Sequence, residues 1–134
     1  VKAHAIRERK AAFAGAGGFM MAAQELATAV QYGAGILILV FNNSMYGTIR
    51  MHQEREYPGR VSGSDLFNPD FAALAQAYGW RSAFADTTAA FEPAFVAALA
   101  AAQPSLIHIK LDPEVSTTRA TLSGIRAAAL RSRA

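Results

Sequence analysis

Four short segments of the chain have strand character, and helical patterns of ordinary length separate them. Ile36 to Phe41 is apolar at every position, the pattern of a strand covered on both faces and so of the centre of a parallel sheet. Ala11 to Ala14 is a small apolar run that ends in the turn Gly15-Ala16-Gly17-Gly18. Arg81 to Ala85 is a weaker strand, and Ser105 to Leu111 alternates Ile107, Ile109 and Leu111 with Leu106, His108 and Lys110, which places it nearer a sheet edge. Met20 to Tyr32 carries Leu26 and Val30 at helical spacing and stops at Gly33, a residue suited to the left-handed conformation that closes a helix. Asn68, Pro69 and Asp70 read as a cap, a first-turn proline and an acid at the positive end of a helix that runs to about Tyr78 and stops at Gly79. Thr88 reads as the cap of a third helix through Ala102, with Pro93 near its first turn. The alternation predicts an α/β fold, an open parallel sheet with helices on both faces.

Composition narrows the class. The 134 residues are 52% apolar and 17% charged, one domain's worth of sequence able to bury a core. Thirty alanines against ten glycines and five prolines exclude collagen-like and disordered chains and favour close helix packing. The absence of cysteine excludes disulfide scaffolds, thiolate metal sites and thiol nucleophiles, and fits a reducing cytoplasm. The net charge of +3 belongs to the ends: residues 1–10 carry +3, residues 119–134 carry +4, and the stretch between sums to −4. No basic face for nucleic acid is implied. The longest apolar run, Ile36 to Phe41, is far shorter than the roughly twenty residues that span a bilayer. Val1 to Lys10 is too charged for a signal peptide, and the start without methionine reads as a trimmed or excised chain.

In open parallel sheets ligands gather beyond the carboxyl ends of the strands, and two strand exits stand out. Gly15-Ala16-Gly17-Gly18 opens onto a helix with no Ser, Thr, Asp or Asn in capping position, so its first amides are a cradle for a phosphate. A tight turn with water on those amides is the commoner use of such a cluster. Asn42-Asn43-Ser44-Met45-Tyr46-Gly47 follows the most buried strand and offers amide and main-chain oxygens, hard neutral ligands of the kind magnesium accepts when phosphate supplies the charge. An Asx turn is the plainer alternative. Both exits leave one edge of the sheet, which favours a diphosphate and metal site over either reading alone. His52, Glu54 and Glu56 do not converge on one helix face and read as a solvated segment. His108 reads as a partly exposed strand residue, and Met20 and Met21 as core filling. P-loop and nucleophile-elbow motifs are absent.

Gly15-Ala16-Gly17, twenty-four residues, then Asn42-Asn43 resembles the thiamine-diphosphate motif, G-D-G followed some two dozen residues later by N-N. Gly18-Phe19-Met20-Met21, Gln24 to Ala29, Tyr46 to Arg50, Asn68 to Phe71 and Pro104 to Asp112 are similar to the C-terminal, diphosphate-binding domain of acetolactate-synthase-like enzymes. The resemblance implies a thiamine-diphosphate-binding fold over residues 1–134, lacking its first strand-helix unit, of which Val1 to Lys10 is the end. It implies thiamine diphosphate and Mg²⁺ as cofactors. The Asn43 side chain and the Met45 carbonyl are the implied metal ligands. Gly15, Ala16, Gly17, Gly18 and Phe19 lie by the phosphates, and Tyr46 and Gly47 beside them.

Ala16 stands where the motif has its metal-binding aspartate, and a methyl group ligates nothing. The glutamate that activates the cofactor in such enzymes belongs to a pyrimidine-binding domain, so no residue of this chain is assigned a catalytic role. Two readings follow. In one, the chain is the cofactor-binding part of a lyase or transferase acting on 2-oxo acids, inactive alone and associated with further copies or with a pyrimidine-binding partner. In the other, it is a degenerate, non-catalytic α/β module serving subunit interaction or structure.

Overall fold

A computed structural model describes residues 10–133. The reading of Val1 to Lys10 as the end of a helix falls, but for Lys10, outside them. The chain order is β1 (Lys10–Gly15), α1 (Ala16–Met20), α2 (Glu25–Gln31), β2 (Ile36–Asn42), α3 (Gly47–Glu56), α4 (Phe71–Ala77), β3 (Arg81–Ala85), α5 (Thr88–Ala100), β4 (Ser105–Lys110) and α6 (Leu122–Arg131). Two compact units divide these elements. A sheet unit comprises residues 10–41 and Pro69–Lys110, and a loop-helix unit comprises Asn42–Asn68 and residues 111–133.

The sheet unit is built on four parallel strands in the order β1-β2-β4-β3. β1 pairs β2 from Lys10↔Ile36 to Gly15↔Phe41, and β3 pairs β4 from Arg81↔Ser105 to Ala85↔Ile109. The all-apolar run of β2 has a simple cause. Ile38 and Val40 enter a cluster with Phe19, Leu26, Phe71, Trp80 and Leu106, while Leu37 and Leu39 enter a second with Ala85, Ala98, Ile107 and the α5 rings Phe91 and Phe95. Helices α1, α2 and α4 therefore cover one face and α5 the other, as the pattern predicts. Trp80 is held within the first cluster by its indole N–H, which donates to the Leu26 carbonyl at 2.9 Å.

Several local expectations are corrected. β4 is an inner strand, not an edge: it lies between β2 and β3, Ser105 through His108 are all buried, and the Ser105 hydroxyl donates to the Gln103 carbonyl at 3.2 Å. His108 is 7% exposed and sits edge-on between Phe71 and Phe84, with ring centroids 5.2 and 5.1 Å away. The helix expected from Met20 to Tyr32 begins earlier and is interrupted. Bonds from Met21 N to Gly18 O, Ala22 N to Phe19 O and Glu25 N to Ala22 O tighten residues 21–24 into three-residue turns before α2. Met20 and Met21 are exposed rather than core filling, and Leu26 pairs with Ala29, not Val30, as the buried side of α2.

The cap of α4 is Asp70 and not Asn68: its carboxylate accepts from Ala72 N at 2.9 Å and Ala73 N at 3.1 Å. Thr87, one residue before Thr88, caps α5, and Pro93 stands inside that helix. Gly33 and Gly79, at φ +58° and +82°, close α2 and α4 as read.

In the loop-helix unit, α3 and α6 pack together, and among the described residues no helix is long and apolar enough to cross a membrane.

Candidate cofactor site

The residues singled out by the sequence fall into two sets, one in each unit. In the sheet unit, β1 ends at Gly15, which is the N-cap of α1 and contributes no side-chain hydrogen bond to it. The first turn of α1 thus presents amides without a side-chain acceptor. A Cβ on exposed Gly18 would meet nothing within 4 Å, so the turn is open at Gly18, while Gly17 and Phe19 on either side of it are buried. Ala16 is 2% exposed and its methyl joins the apolar cluster of Phe19, Leu26 and Phe71. Phe19 packs edge-on to Phe71 at 5.4 Å, which commits its ring to the core and leaves only its backbone for other duties.

In the loop-helix unit, the chain leaving β2 makes two successive Asx turns. Asn42 Oδ1 accepts from Ser44 N at 2.9 Å and from Asn68 Nδ2 at 2.8 Å, and Asn43 Oδ1 accepts from Met45 N at 3.3 Å. Ser44, at φ +57°, adopts the left-handed conformation that turns the loop. Met45 then bridges antiparallel to Asp65, through Tyr46 N to Ser64 O at 2.8 Å and Leu66 N to Ser44 O at 2.9 Å. Those bonds leave the Met45 carbonyl unused. Tyr46 is the N-cap of α3 and also lacks a side-chain cap bond. Gly47 leaves room for the Asn43 side chain: a Cβ there would lie 2.8 Å from Asn43 Nδ2 and displace that amide. Asn43, Met45, Tyr46 and Gly47 are therefore one local constellation, and the Asx turns that were the plainer reading are what shape it.

Behind this loop lies an ionic network that the sequence reading missed. Glu54 is fully buried, not solvated as expected, whereas His52 and Glu56 are exposed. Arg126 of α6 grips the Glu54 carboxylate in a fork, with Nε 2.7 Å from Oε2 and Nη2 on Oε1, and Gly59 N donates to Oε2 at 3.0 Å. This Arg126 hydrogen bond chiefly holds the Glu54 pKa down from 4.5 to about 2 against the opposing effect of burial. Arg50 pairs with Asp65 and donates through Nε to buried Ser64 at 2.7 Å, pinning α3 to the strand-like segment beside Met45. Nothing in the local pattern announces a partner 72 residues away. In the sheet unit, amide donors at Ala73 and Ala72 hold the Asp70 carboxyl below its ordinary range, and burial lowers His108 despite Asp70 at 3.7 Å. Among the described residues no group of three or more His, Cys, Asp or Glu is arranged to hold a metal.

Residues 1–109 match the family described as thiamine pyrophosphate enzyme, C-terminal TPP binding domain. The chain belongs to this family. Among curated relatives, this TPP-binding-domain protein is 35% identical over 112 residues to a 3D-(3,5/4)-trihydroxycyclohexane-1,2-dione hydrolase of Lacticaseibacillus casei, covering 79% of this chain and 17% of that one. It is 31% identical over 98 residues to a catabolic acetolactate synthase of Raoultella terrigena, covering 73% and 17%. The crystal structure of benzoylformate decarboxylase from Polynucleobacter necessarius superposes with a TM-score of 0.72 at 30% identity, covering 78% of this chain and 20% of that one. The chain thus spans about a fifth or less of the length of these proteins.

Proposed function

We propose that the chain supplies the diphosphate-binding portion of an acetolactate-synthase-like or decarboxylase-like enzyme, a lyase or transferase of 2-oxo acids that works in the cytoplasm as an oligomer or with a pyrimidine-binding partner. The observation that carries this reading is the Asn43–Gly47 constellation within a chain of the TPP-binding family. When bound, thiamine diphosphate supplies a thiazolium carbon that acts as nucleophile and electron sink. The protein's own tasks are to bind and to orient. The amides of Gly17, Gly18 and Phe19 suit phosphate oxygens, with Gly15 and Ala16 forming the turn. Asn43 Oδ1 and the Met45 carbonyl suit Mg²⁺, and Tyr46 and Gly47 start the helix beside them.

The donor set fits the diphosphate better than it fits the metal. Gly18 leaves the first turn of α1 open, and the Met45 carbonyl is unused by the bridge to Asp65. The position of the motif carboxylate holds a methyl packed among apolar side chains, so the protein offers the cation only neutral oxygens. This last observation favours the second reading for the isolated chain: a degenerate, non-catalytic α/β module serving subunit interaction or structure.

Calorimetric titration of thiamine diphosphate into wild type and Ala16→Asp, each with Mg²⁺ and with EDTA, tests the assignment. Wild type is expected to bind weakly with little metal dependence, and the variant about tenfold tighter in Mg²⁺, equivalent to about 1.4 kcal/mol. Equal binding in Mg²⁺ and in EDTA, by a variant whose melting and circular dichroism match wild type despite the carboxylate placed beside the Phe19–Phe71 cluster, removes Asn43 and Met45 as metal ligands.

A further inference from the structure

The segment that follows β4 carries a hydroxyl with no assigned purpose. Among the described residues, Ser116 Oγ and Asn68 Oδ1 are buried oxygens without a hydrogen-bond partner, and both belong to the loop-helix unit. A buried hydroxyl left unpaired is costly, so its placement calls for a partner. Asn68 is anchored on Asn42 through its Nδ2. Ser116 Oγ lies 3.8 Å from the point where a Cβ on Gly47 would stand, the same point that Asn43 Nδ2 approaches to 2.8 Å.

The position of Ser116 is fixed from both sides. Leu111 N donates to Asn42 O at 2.8 Å, and Glu114 accepts from Leu122 N at its carbonyl and from Ser123 N at its carboxylate, both at 3.0 Å. Arg126, one turn further along α6, is locked on Glu54 of α3. The hydroxyl is therefore held beside the first turn of α3 and is not a wandering surface group. The groups meeting there are alike in character: an amide NH₂, a hydroxyl, and the start of a ten-residue helix whose N-cap gives no side-chain bond. Donors and the positive end of a helix dipole suit an anionic oxygen.

We infer that Ser116 is a further ligand-contacting residue of the Asn43–Gly47 loop, its O–H donating, beside Asn43 Nδ2, to a phosphate oxygen of the diphosphate. The inference rests on the reading that this loop binds a diphosphate.

Inorganic pyrophosphate with Mg²⁺, titrated into ¹⁵N-labelled protein and followed at the backbone amides, separates the two claims. Ser116→Ala is expected to bind about fivefold to tenfold more weakly, with Ser116→Thr, which keeps the hydroxyl, and Thr118→Ala, an exposed control, within about twofold of wild type. The melting temperature of free Ser116→Ala should equal or exceed that of wild type, because the deleted group has no protein partner. Wild-type affinity in Ser116→Ala, or failure of that variant to fold, overturns the inference and leaves the loop assignment standing. A wild-type protein whose 42–47 amides do not respond to pyrophosphate overturns both.

Discussion

Replacing Arg126 with methionine strips the buried Glu54 carboxylate of its counter-ion while keeping much of the side-chain volume at that point of α6. Removing one partner of a buried pair typically costs about 3–5 kcal/mol, because the remaining charge stays out of water. Here the Arg126 side chain is 43% exposed and Gly59 still donates to Glu54, so solvent screening brings the expectation below that range, to about 2–3 kcal/mol. The pH dependence has a definite sign. Glu54 titrates near 4.5 when unfolded and near 2 when folded, so its contribution is complete above pH 4.5 and fades as pH falls toward 2. Urea unfolding followed by far-ultraviolet circular dichroism, on wild type, Arg126→Met, Glu54→Met and the double variant, measures both effects. The double variant should be more stable than Arg126→Met, since apolar replacement of a whole buried pair is often neutral. It should also lose less stability than wild type on acidification through this window. A loss below about 0.5 kcal/mol in Arg126→Met, or single losses that simply add, would refute the view that α6 is fastened to α3 by this pair.

Three further outcomes follow from the sheet unit. Asp70→Ala, which removes the cap of α4, should cost about 1 kcal/mol and flatten the loss of stability in acid, because the Asp70 carboxyl titrates below its ordinary range in the fold; thermal melts across pH check both. Trp80→Phe should cost about 2 kcal/mol by leaving the Leu26 carbonyl without its indole donor and the cluster underfilled, read by urea unfolding on a signal other than tryptophan fluorescence. The exposed Phe13, Met20 and Met21 should drive self-association, and sedimentation showing a clean monomer at high concentration would count against it.

The sequence made the sheet legible because β2 is buried on both faces, and only uninterrupted apolar residues satisfy that environment. It misled on β4 because Ser105 and His108 look like solvent-facing positions. His108 in fact has Phe71 and Phe84 against its ring, contacts formed only when α4 and β3 are in place. Capping was legible to within a residue or two, since Asp70 and Thr87 differ from Asn68 and Thr88 only in where the backbone turns extended. The Asn42–Gly47 loop was legible as chemistry but not as shape: the left-handed Ser44 and the approach of Asn43 Nδ2 to Gly47 accompany a bridge from Met45 to Asp65, twenty residues on, that local pattern does not report. Glu54 was misjudged because its partner lies on another helix, and helical spacing reports only neighbours on its own.

The ion pair between α3 and α6 also bears on where this fold can be cut. The family match ends at residue 109, and Arg126 lies beyond it. A chain shortened to that boundary would keep Glu54 with its counter-charge deleted and α3 with its packing partner gone. The helix that carries Tyr46 and Gly47 would then rest on an uncompensated carboxylate, so recombinant fragments designed from the family boundary alone would report on a damaged loop and be mistaken for evidence that the loop binds nothing.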